Sequence, residues 1–298
     1  MAALILGCGY TGSRVARATV ARGERVVATV RSAREVEAVA AIGAEPLLLE
    51  ASDAASVAGL RAAAERLGGG LRVLCTIPPA RRADGGEITG ELVRALAGLA
   101  ARFVVLSSTS VYGDARRVDE TTPAVPLTDR GRLRVEAELQ VTAGAWSSLV
   151  LRPAAIYGPG RGALAPEGGR FEHAASLDAI VSRVHVDDVA GIVTAALAGD
   201  VSGAFPVADE EPMSAREVLA LLGHPAAEEP SSRPQGSRNG RVVDGRAVLK
   251  MLGIALRYPS VRDAIAAEGA GAISAAGAVR SPAAPPRRPG RSPPRRRP

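Results

Sequence analysis

The first dozen residues constrain this chain most. Ala2-Ala3-Leu4-Ile5-Leu6 is a short apolar run, Gly7-Cys8-Gly9-Tyr10-Thr11-Gly12 follows without a break, and residues 13–21 read as a helix on which Val15, Ala16, Thr19 and Val20 share one face. G-x-G-x-x-G between a strand and a helix is the setting in which a backbone cradles a dinucleotide. Gly7 allows the tight turn, Gly9 lets the backbone approach a pyrophosphate, and Gly12 lets the helix start lie close to the strand. The helix N-terminus then turns unpaired N–H groups and a positive dipole end toward the phosphates. Glycines also punctuate ordinary turns, so the pattern gains its weight from the two correctly typed elements around it. Gly7, Cys8, Gly9, Tyr10, Thr11 and Gly12 are therefore candidate cofactor-binding residues.

The same strand-then-helix unit recurs. Residues 25–30 read as a second strand ending Thr29-Val30-Arg31. In the NAD-binding version of this arrangement an acidic residue, about 20 positions past the glycines, takes the ribose 2′-hydroxyl. Here Arg31 stands near that point with Ser32 beside it. A guanidinium suits a 2′-phosphate through bidentate, charge-assisted hydrogen bonds. The expected cofactor is NADP, with NAD the alternative; a solvated arginine at a strand end is the competing reading in so arginine-rich a chain.

Ser32 with Glu35 three residues on forms a capping box for a helix over 32–42, ended by Gly43. A third strand at 46–49, a helix over 53–67 stopped by three glycines, and a fourth strand at 71–77 halted by Pro78-Pro79 follow. A helix over 88–101 and a fifth strand at 103–106 complete the series. This alternation predicts an α/β, Rossmann-type, doubly wound parallel sheet. Ligands in such folds lie beyond the carboxyl ends of the strands. That places the glycine loop, Arg31, Thr76, Ile77, Ser107 and Ser108 on one rim.

Composition limits the alternatives. The net charge of +6 equals the six arginines of residues 281–298, a stretch without an acid, so the rest of the chain is formally neutral. No nucleic-acid surface is expected on the folded part. Cys8 and Cys75 lack metal-ligand spacing, so neither a zinc site nor a disulfide scaffold is expected. No apolar run reaches the length of a membrane span and no signal peptide is evident, which makes a soluble cytoplasmic protein the expectation. Residues 1–268 read as a single domain with a small C-terminal substrate-side lobe interleaved from about residue 151. Residues 269–298, Ala/Gly and then Pro/Arg, hold too little apolar surface to offset their ordering entropy and are expected to be disordered.

The second half carries less generic signals. Ser107-Ser108-Thr109-Ser110-Val111-Tyr112-Gly113-Asp114 follows the fifth strand, Leu151-Arg152-Pro153-Ala154-Ala155-Ile156-Tyr157-Gly158-Pro159-Gly160 follows a sixth, and Arg183-Val184-His185-Val186-Asp187-Asp188-Val189-Ala190 opens a further helix. With the glycine loop, these motifs resemble the short-chain dehydrogenase/reductase superfamily in its extended NAD-dependent epimerase/dehydratase branch. The likeness runs from the first strand to about Ala266. The G-x-G-Y-x-G loop and the short C-terminal half resemble a small atypical subgroup.

The resemblance implies roles for particular residues. Ser108, four positions before the tyrosine of V-Y-G, stands where the family's catalytic Ser or Thr stands. Asp53 resembles the acid that meets the adenine, although Glu50 replaces the more usual Asp three positions earlier. Arg152-Pro153 matches the R-P pair beside the nicotinamide. The family's Y-x-x-x-K pair is replaced: aligned on Glu138, Arg130 stands at the tyrosine and Arg134 at the lysine. Neither Tyr112 nor Tyr157 fits that motif. Arginine is always protonated and cannot serve as general acid/base, but Arg134 can still hold a ribose or phosphate. Two readings follow. In one, the protein is an NADP-dependent oxidoreductase or epimerase-like enzyme on a small, sugar- or polyol-like substrate, with its proton from Ser108, Tyr157 or an acid in 114–120. In the other, it is a catalytically silent NADP-binding sensor or regulatory protein. The superfamily often pairs helices into dimers, so a homodimer is the implied assembly.

Other features have plainer readings. Asp187 or Asp188 is expected to cap the helix after His185. The loop from Gly158 to 170 is either a closure over substrate or a mobile connection. His173 and His224 read as surface residues. A strand at 204–207, a helix at 214–222 with a Ser214/Glu217 capping box, a polar loop at 228–240 and a helix at 244–252 finish the domain.

Overall fold

A strand sends alternate side chains to opposite faces of its sheet, and the first strand, β1 (Ala2–Leu6), does so into two separate cores. Ala3 and Ile5 enter one, Leu4 and Leu6 the other. The computed structural model describes residues 2–165, 176–224 and 240–267. The first half runs α1 (Gly12–Ala21), β2 (Arg25–Val30), α2 (Val36–Ala40), β3 (Glu45–Leu48), α3 (Ala54–Leu67), β4 (Leu71–Cys75), α4 (Ile88–Ala95) and β5 (Ala100–Leu106). A 3-10 turn at Thr109–Tyr112 opens the second half. β6 (Arg117–Val118), α5 (Asp129–Thr142), β7 (Ser147–Pro153), β8 (Ala155–Tyr157), β9 (Arg183–His185), α6 (Val186–Ala198), β10 (Gly203–Val207), α7 (Ala215–Leu221), β11 (Val242–Val243) and α8 (Arg246–Leu252) follow.

Among the described residues the main sheet has seven strands in the order β10-β7-β5-β4-β1-β2-β3, all parallel. The expected Rossmann-type sheet is what forms. Residues of α1 and α6 cover one face with Val15, Ala16, Val189 and Val193, while Leu60, Leu92 and Val141 of α3, α4 and α5 cover the other. Chain order reverses between β1 and β4, so a crevice opens there at the carboxyl ends of the strands.

A smaller lobe lies past those ends. β8 pairs with β9, and β11 pairs with β6 in parallel, joining Val242 to Arg117 and Val243 to Val118. Its own core holds Tyr157, Leu164, Met213, Val218, Tyr258 and Val261. Residues 166–175, 225–239 and 268–298 lie outside the described residues, and with them His173, the end of the first expected loop, nearly all of the second and the expected tail.

Some boundaries differ from the sequence expectation. The helix expected over 88–101 stops at Ala95 and β5 starts at Ala100. Leu96 caps the helix, and Gly98, at φ +78°, takes the left-handed conformation in the turn that leads into β5. Arg102 is then drawn into the sheet because its guanidinium finds carbonyl partners on distant segments: Nε donates to Ala196 O at 3.0 Å and Nη2 to Val201 O at 2.6 Å. The helix expected over 32–42 splits into a 3-10 turn at Ala33–Glu35 and the short α2, with the Ser32/Glu35 capping box intact. The β6–β11 pair had no sequence signal, since two residues are too few to show alternation.

Candidate functional site

The glycine loop leaves β1 under a lattice of short bonds. Gly7 N–H donates to Thr29 Oγ1 at 2.8 Å and Cys8 N–H to Thr29 O at 2.7 Å. Thr76 Oγ1 donates to Gly7 O at 2.7 Å. Gly7 sits at φ +95°, and a Cβ there would lie 2.7 Å from Thr76 Oγ1. A Cβ on Gly12 would lie 2.1 Å from Gly7 O, so the start of α1 presses directly on the loop backbone. Gly9 is exposed and a Cβ on it would meet nothing within 4 Å. The loop is thus tight beneath and open above. No side chain caps the first N–H groups of α1, and the N-cap Thr11 is itself buried. This geometry fits a dinucleotide pyrophosphate. Burial, with a smaller contribution from Glu35, pushes the Cys8 thiol up to about 11, which keeps it a neutral thiol.

Tyr10 links this loop to the smaller lobe. Its hydroxyl donates to Pro159 O at 3.2 Å, and its ring meets the Arg14 and Arg161 guanidinium groups at 4.5 and 5.0 Å. Arg14 in turn pairs with Asp187 at 2.7 Å.

At the far end of the crevice, Arg31 is exposed just past β2. The Glu50 carboxyl is held below its ordinary range first by hydrogen bonds from Ser52 and then by the Arg31 charge, so the two side chains are neighbours. Ser32 N–H and Oγ bind Glu35 at 3.1 and 2.8 Å. Asp53 accepts from Ser56 N–H at 2.7 Å through Oδ2, which makes it the N-cap of α3.

At the near end, Ile77, Thr89, Ser107, Arg134 and Glu138 line a groove beside Cys75. Ser107 is buried; its N–H donates to Leu151 O at 2.7 Å, and its Oγ has no hydrogen-bond partner among the described residues. Ser108, next to the groove but not in its lining, is half-buried, and its Oγ accepts from Ser110 N–H at 3.2 Å. Arg134 reaches the groove from α5, one turn before Glu138. Arg130 lies exposed in the first turn of the same helix and does not line it. Pro153 is buried at the end of β7, opposite Val207.

A buried triad beneath the groove escaped the sequence reading. Glu138 takes Arg152 in a bidentate pair, Nη2–Oε2 at 2.7 Å and Nε–Oε1 at 3.2 Å, and Arg152 Nη1 donates to the Tyr112 hydroxyl at 3.3 Å. It joins α5, the end of β7 and the V-Y-G turn. One signal was available: Arg152 closes the apolar run Leu149-Val150-Leu151, and a charge buried there requires a partner.

Two expectations need correction. Tyr157 lies in the core of the smaller lobe at 1% exposure and does not line the groove. Burial, then the charges of Asp209 and Asp188, raise its hydroxyl well above the ordinary range. The cap of α6 is His185, whose Nδ1 accepts from Asp187 N–H at 3.2 Å. Asp187 instead pairs with Arg14, and Asp188 accepts from the N–H groups of Arg257 and Tyr258 at 2.6 and 3.0 Å. His185, buried among Tyr157 and Tyr258 with ring centroids at 5.2 and 4.1 Å, is lowered to about 4 by desolvation. Nearby Asp209 is raised to about 8 by burial. Of the acids expected in 114–120, Asp119 is held below its ordinary range by hydrogen bonds from Thr121 and Thr122 and stays a carboxylate.

The profile of the NAD dependent epimerase/dehydratase family matches residues 82–207. Protein YeeZ of Escherichia coli is 31% identical over 280 residues, covering 86% of this chain and 95% of YeeZ. The chain belongs to the NAD-dependent epimerase/dehydratase family. A 3-diazoavenalumate denitrifying reductase of Streptomyces is 32% identical over 242 residues, covering 74% of this chain and 79% of the relative. The solved UDP-glucose 4-epimerase of Thermus thermophilus, complexed with NAD, superposes with a TM-score of 0.76 at 20% identity, covering 94% of this chain and 100% of the epimerase, a likeness of fold. Membership makes the chain an epimerase/dehydratase-like oxidoreductase by family. Among the described residues no helix is long and apolar enough to cross a membrane.

Proposed function

We propose that this family member binds NADP in the crevice between β1 and β4 and passes hydride between it and a small, sugar- or polyol-like carbonyl substrate. The observation that carries this reading is the groove in which Ser107 and Arg134 meet, next to a glycine cradle that is closed below and open above. Gly7, Cys8, Gly9, Tyr10, Thr11 and Gly12 would hold the pyrophosphate. Arg31 would take the 2′-phosphate, joined by Ser32 on exchange of its Glu35 bond for the phosphate, and Asp53 the adenine side through its second carboxylate oxygen. Thr76, Ile77, Ser107 and Pro153 would bound the nicotinamide end, with Arg134 at its ribose. When bound, the cofactor supplies or accepts the hydride.

The chain's own groups polarise and orient. Ser108 Oγ already accepts from Ser110 N–H, which leaves its O–H to donate to a substrate oxygen. Arg134, at the ribose, is a fixed cation and cannot move a proton. Reduction of a carbonyl adds hydride at carbon and a proton at oxygen, and water delivers that proton in a site without a tyrosine acid. A second substrate class has a specific support. The Streptomyces relative is named a denitrifying reductase of a diazo compound. When hydride replaces a departing N2, no oxygen has to be protonated, so that reaction needs no tyrosine acid.

Following NADPH absorbance with nucleotide sugars, small ketones, quinones and an aryl diazonium salt tests the proposal. Turnover with one of these classes, slowed in Ser108→Ala and lost in Arg134→Met, is expected. Cofactor binding without turnover across the panel would overturn the enzyme reading in favour of a sensor.

A further inference from the structure

The serine turn is gripped from the opposite end of the chain. Arg241, which precedes β11, donates Nε to Ala115 O at 2.8 Å, Nη1 to Thr109 O and Nη2 to Gly113 O. Three faces of one guanidinium thus meet three carbonyls of the segment that begins one residue after Ser108. The backbone around Arg241 is equally committed: Arg241 O accepts from Ser182 N–H at 2.8 Å, and Val242 N–H donates to Arg116 O at 2.9 Å. The planar, five-donor fork of arginine can satisfy divergent carbonyls at once, which an ammonium on a flexible stem cannot do.

We infer that Arg241 is a positioning residue that sets the aim of the Ser108 hydroxyl by fixing the carbonyls of the 109–115 turn. This rests on the proposed role of Ser108 toward substrate. The geometry runs as a chain of contacts. The Ser108 Oγ orientation follows from the bond it accepts from Ser110 N–H. Ser110 N–H is held in place by the 3-10 turn, whose peptide planes Arg241 clamps at Thr109 and Gly113. The Arg152–Glu138–Tyr112 triad grips the same turn through the Tyr112 hydroxyl and does not contact those carbonyls. Arg241 therefore makes the aim of the serine depend on whether the smaller lobe is in place.

Amide hydrogen exchange and bound-NADPH fluorescence on the full chain test this together. In Arg241→Lys, exchange across 108–115 should rise about tenfold, the size of one lost charge-assisted hydrogen bond, with the glycine loop at 7–12 unchanged. NADPH affinity should hold while the emission of the bound nicotinamide shifts. The same shift should occur in Ser108→Ala and should not grow in the double variant. Added guanidinium should restore the exchange pattern of Arg241→Ala. Unchanged exchange over 108–115, or a rise shared equally with the glycine loop, would overturn the inference, as would additive emission changes in the double variant. If the wild-type chain bound no NADPH, the cofactor proposal would fail, and exchange in the cofactor-free protein would still decide the role of Arg241.

Discussion

The glycine cradle and the serine turn flank the same crevice and are held by different means. The cradle is built from contacts among the ends of β1, β2 and β4: the Gly7 backbone against the hydroxyls of Thr29 and Thr76, Gly12 against Gly7 O. The serine turn is held by two arginines, Arg152 from β7 and Arg241 from the smaller lobe, at sequence separations of 40 to 132 residues. The cradle needs small residues at fixed spacing and hydroxyls from the two neighbouring strand ends, whereas the serine turn needs the smaller lobe as well. The cofactor end of the site is therefore held largely within the parallel sheet, and the substrate end depends on the lobe beyond it.

Substitutions can separate the two. The largest effect is expected at the serine side. Glu138→Ala leaves Arg152 buried without its carboxylate and should cost about 3–5 kcal/mol in denaturant unfolding, and Glu138→Leu with Arg152→Met should recover much of that. A loss under about 1 kcal/mol would mean that the pair is effectively solvated.

The cradle should respond to bulk instead of charge. Gly12→Ala forces a methyl group onto Gly7 O and should cost about 1–3 kcal/mol together with cofactor affinity. Gly9→Ala, which meets nothing among the described residues, should leave thermal stability unchanged and weaken cofactor binding alone. Equal stability losses in the two variants would show that the loop is not tight beneath and open above.

The smaller lobe should show its own pH signature. Asp209 is raised from 3.8 to about 8, so the stability it contributes is present in acid and is lost as pH rises through 8. His185 is lowered from 6.5 to about 4, so its contribution is present above 6.5 and is lost as pH falls through 4. Between these limits the two slopes oppose each other. From about pH 6.5 to 8 only Asp209 acts, and stability should fall by about 2 kcal/mol. Denaturant midpoints across that range should lose this slope in Asp209→Asn; a slope that persisted would assign the titration to another group. The smallest effect concerns the adenine end. Arg31→Ala should weaken NADP by about tenfold, near 1.4 kcal/mol, with NAD affinity unaltered, and equal losses for both cofactors would remove the case for a 2′-phosphate contact.

The parallel sheet, the order of its first elements and the glycine cradle were legible in the chain because each depends on residues close together: alternation within β1, three glycines within six positions, capping boxes at Ser32 and Ser214. The shared rim of the glycine loop, Arg31, Ile77 and Ser107 followed from the parallel register of the strands, whereas the approach of Glu50 to Arg31 and of Arg134 to Ser107 came from the finished fold. The end of α4, the cap of α6, the burial of Tyr157, the Arg152–Glu138–Tyr112 triad and the grip of Arg241 were not legible. Each depends on which distant carbonyl, carboxylate or ring an otherwise unremarkable side chain meets. The many arginines of this chain look alike in sequence. A guanidinium can satisfy its donors on any nearby carbonyl or carboxylate, so packing of the finished fold determines which arginines build the site and which remain in solvent.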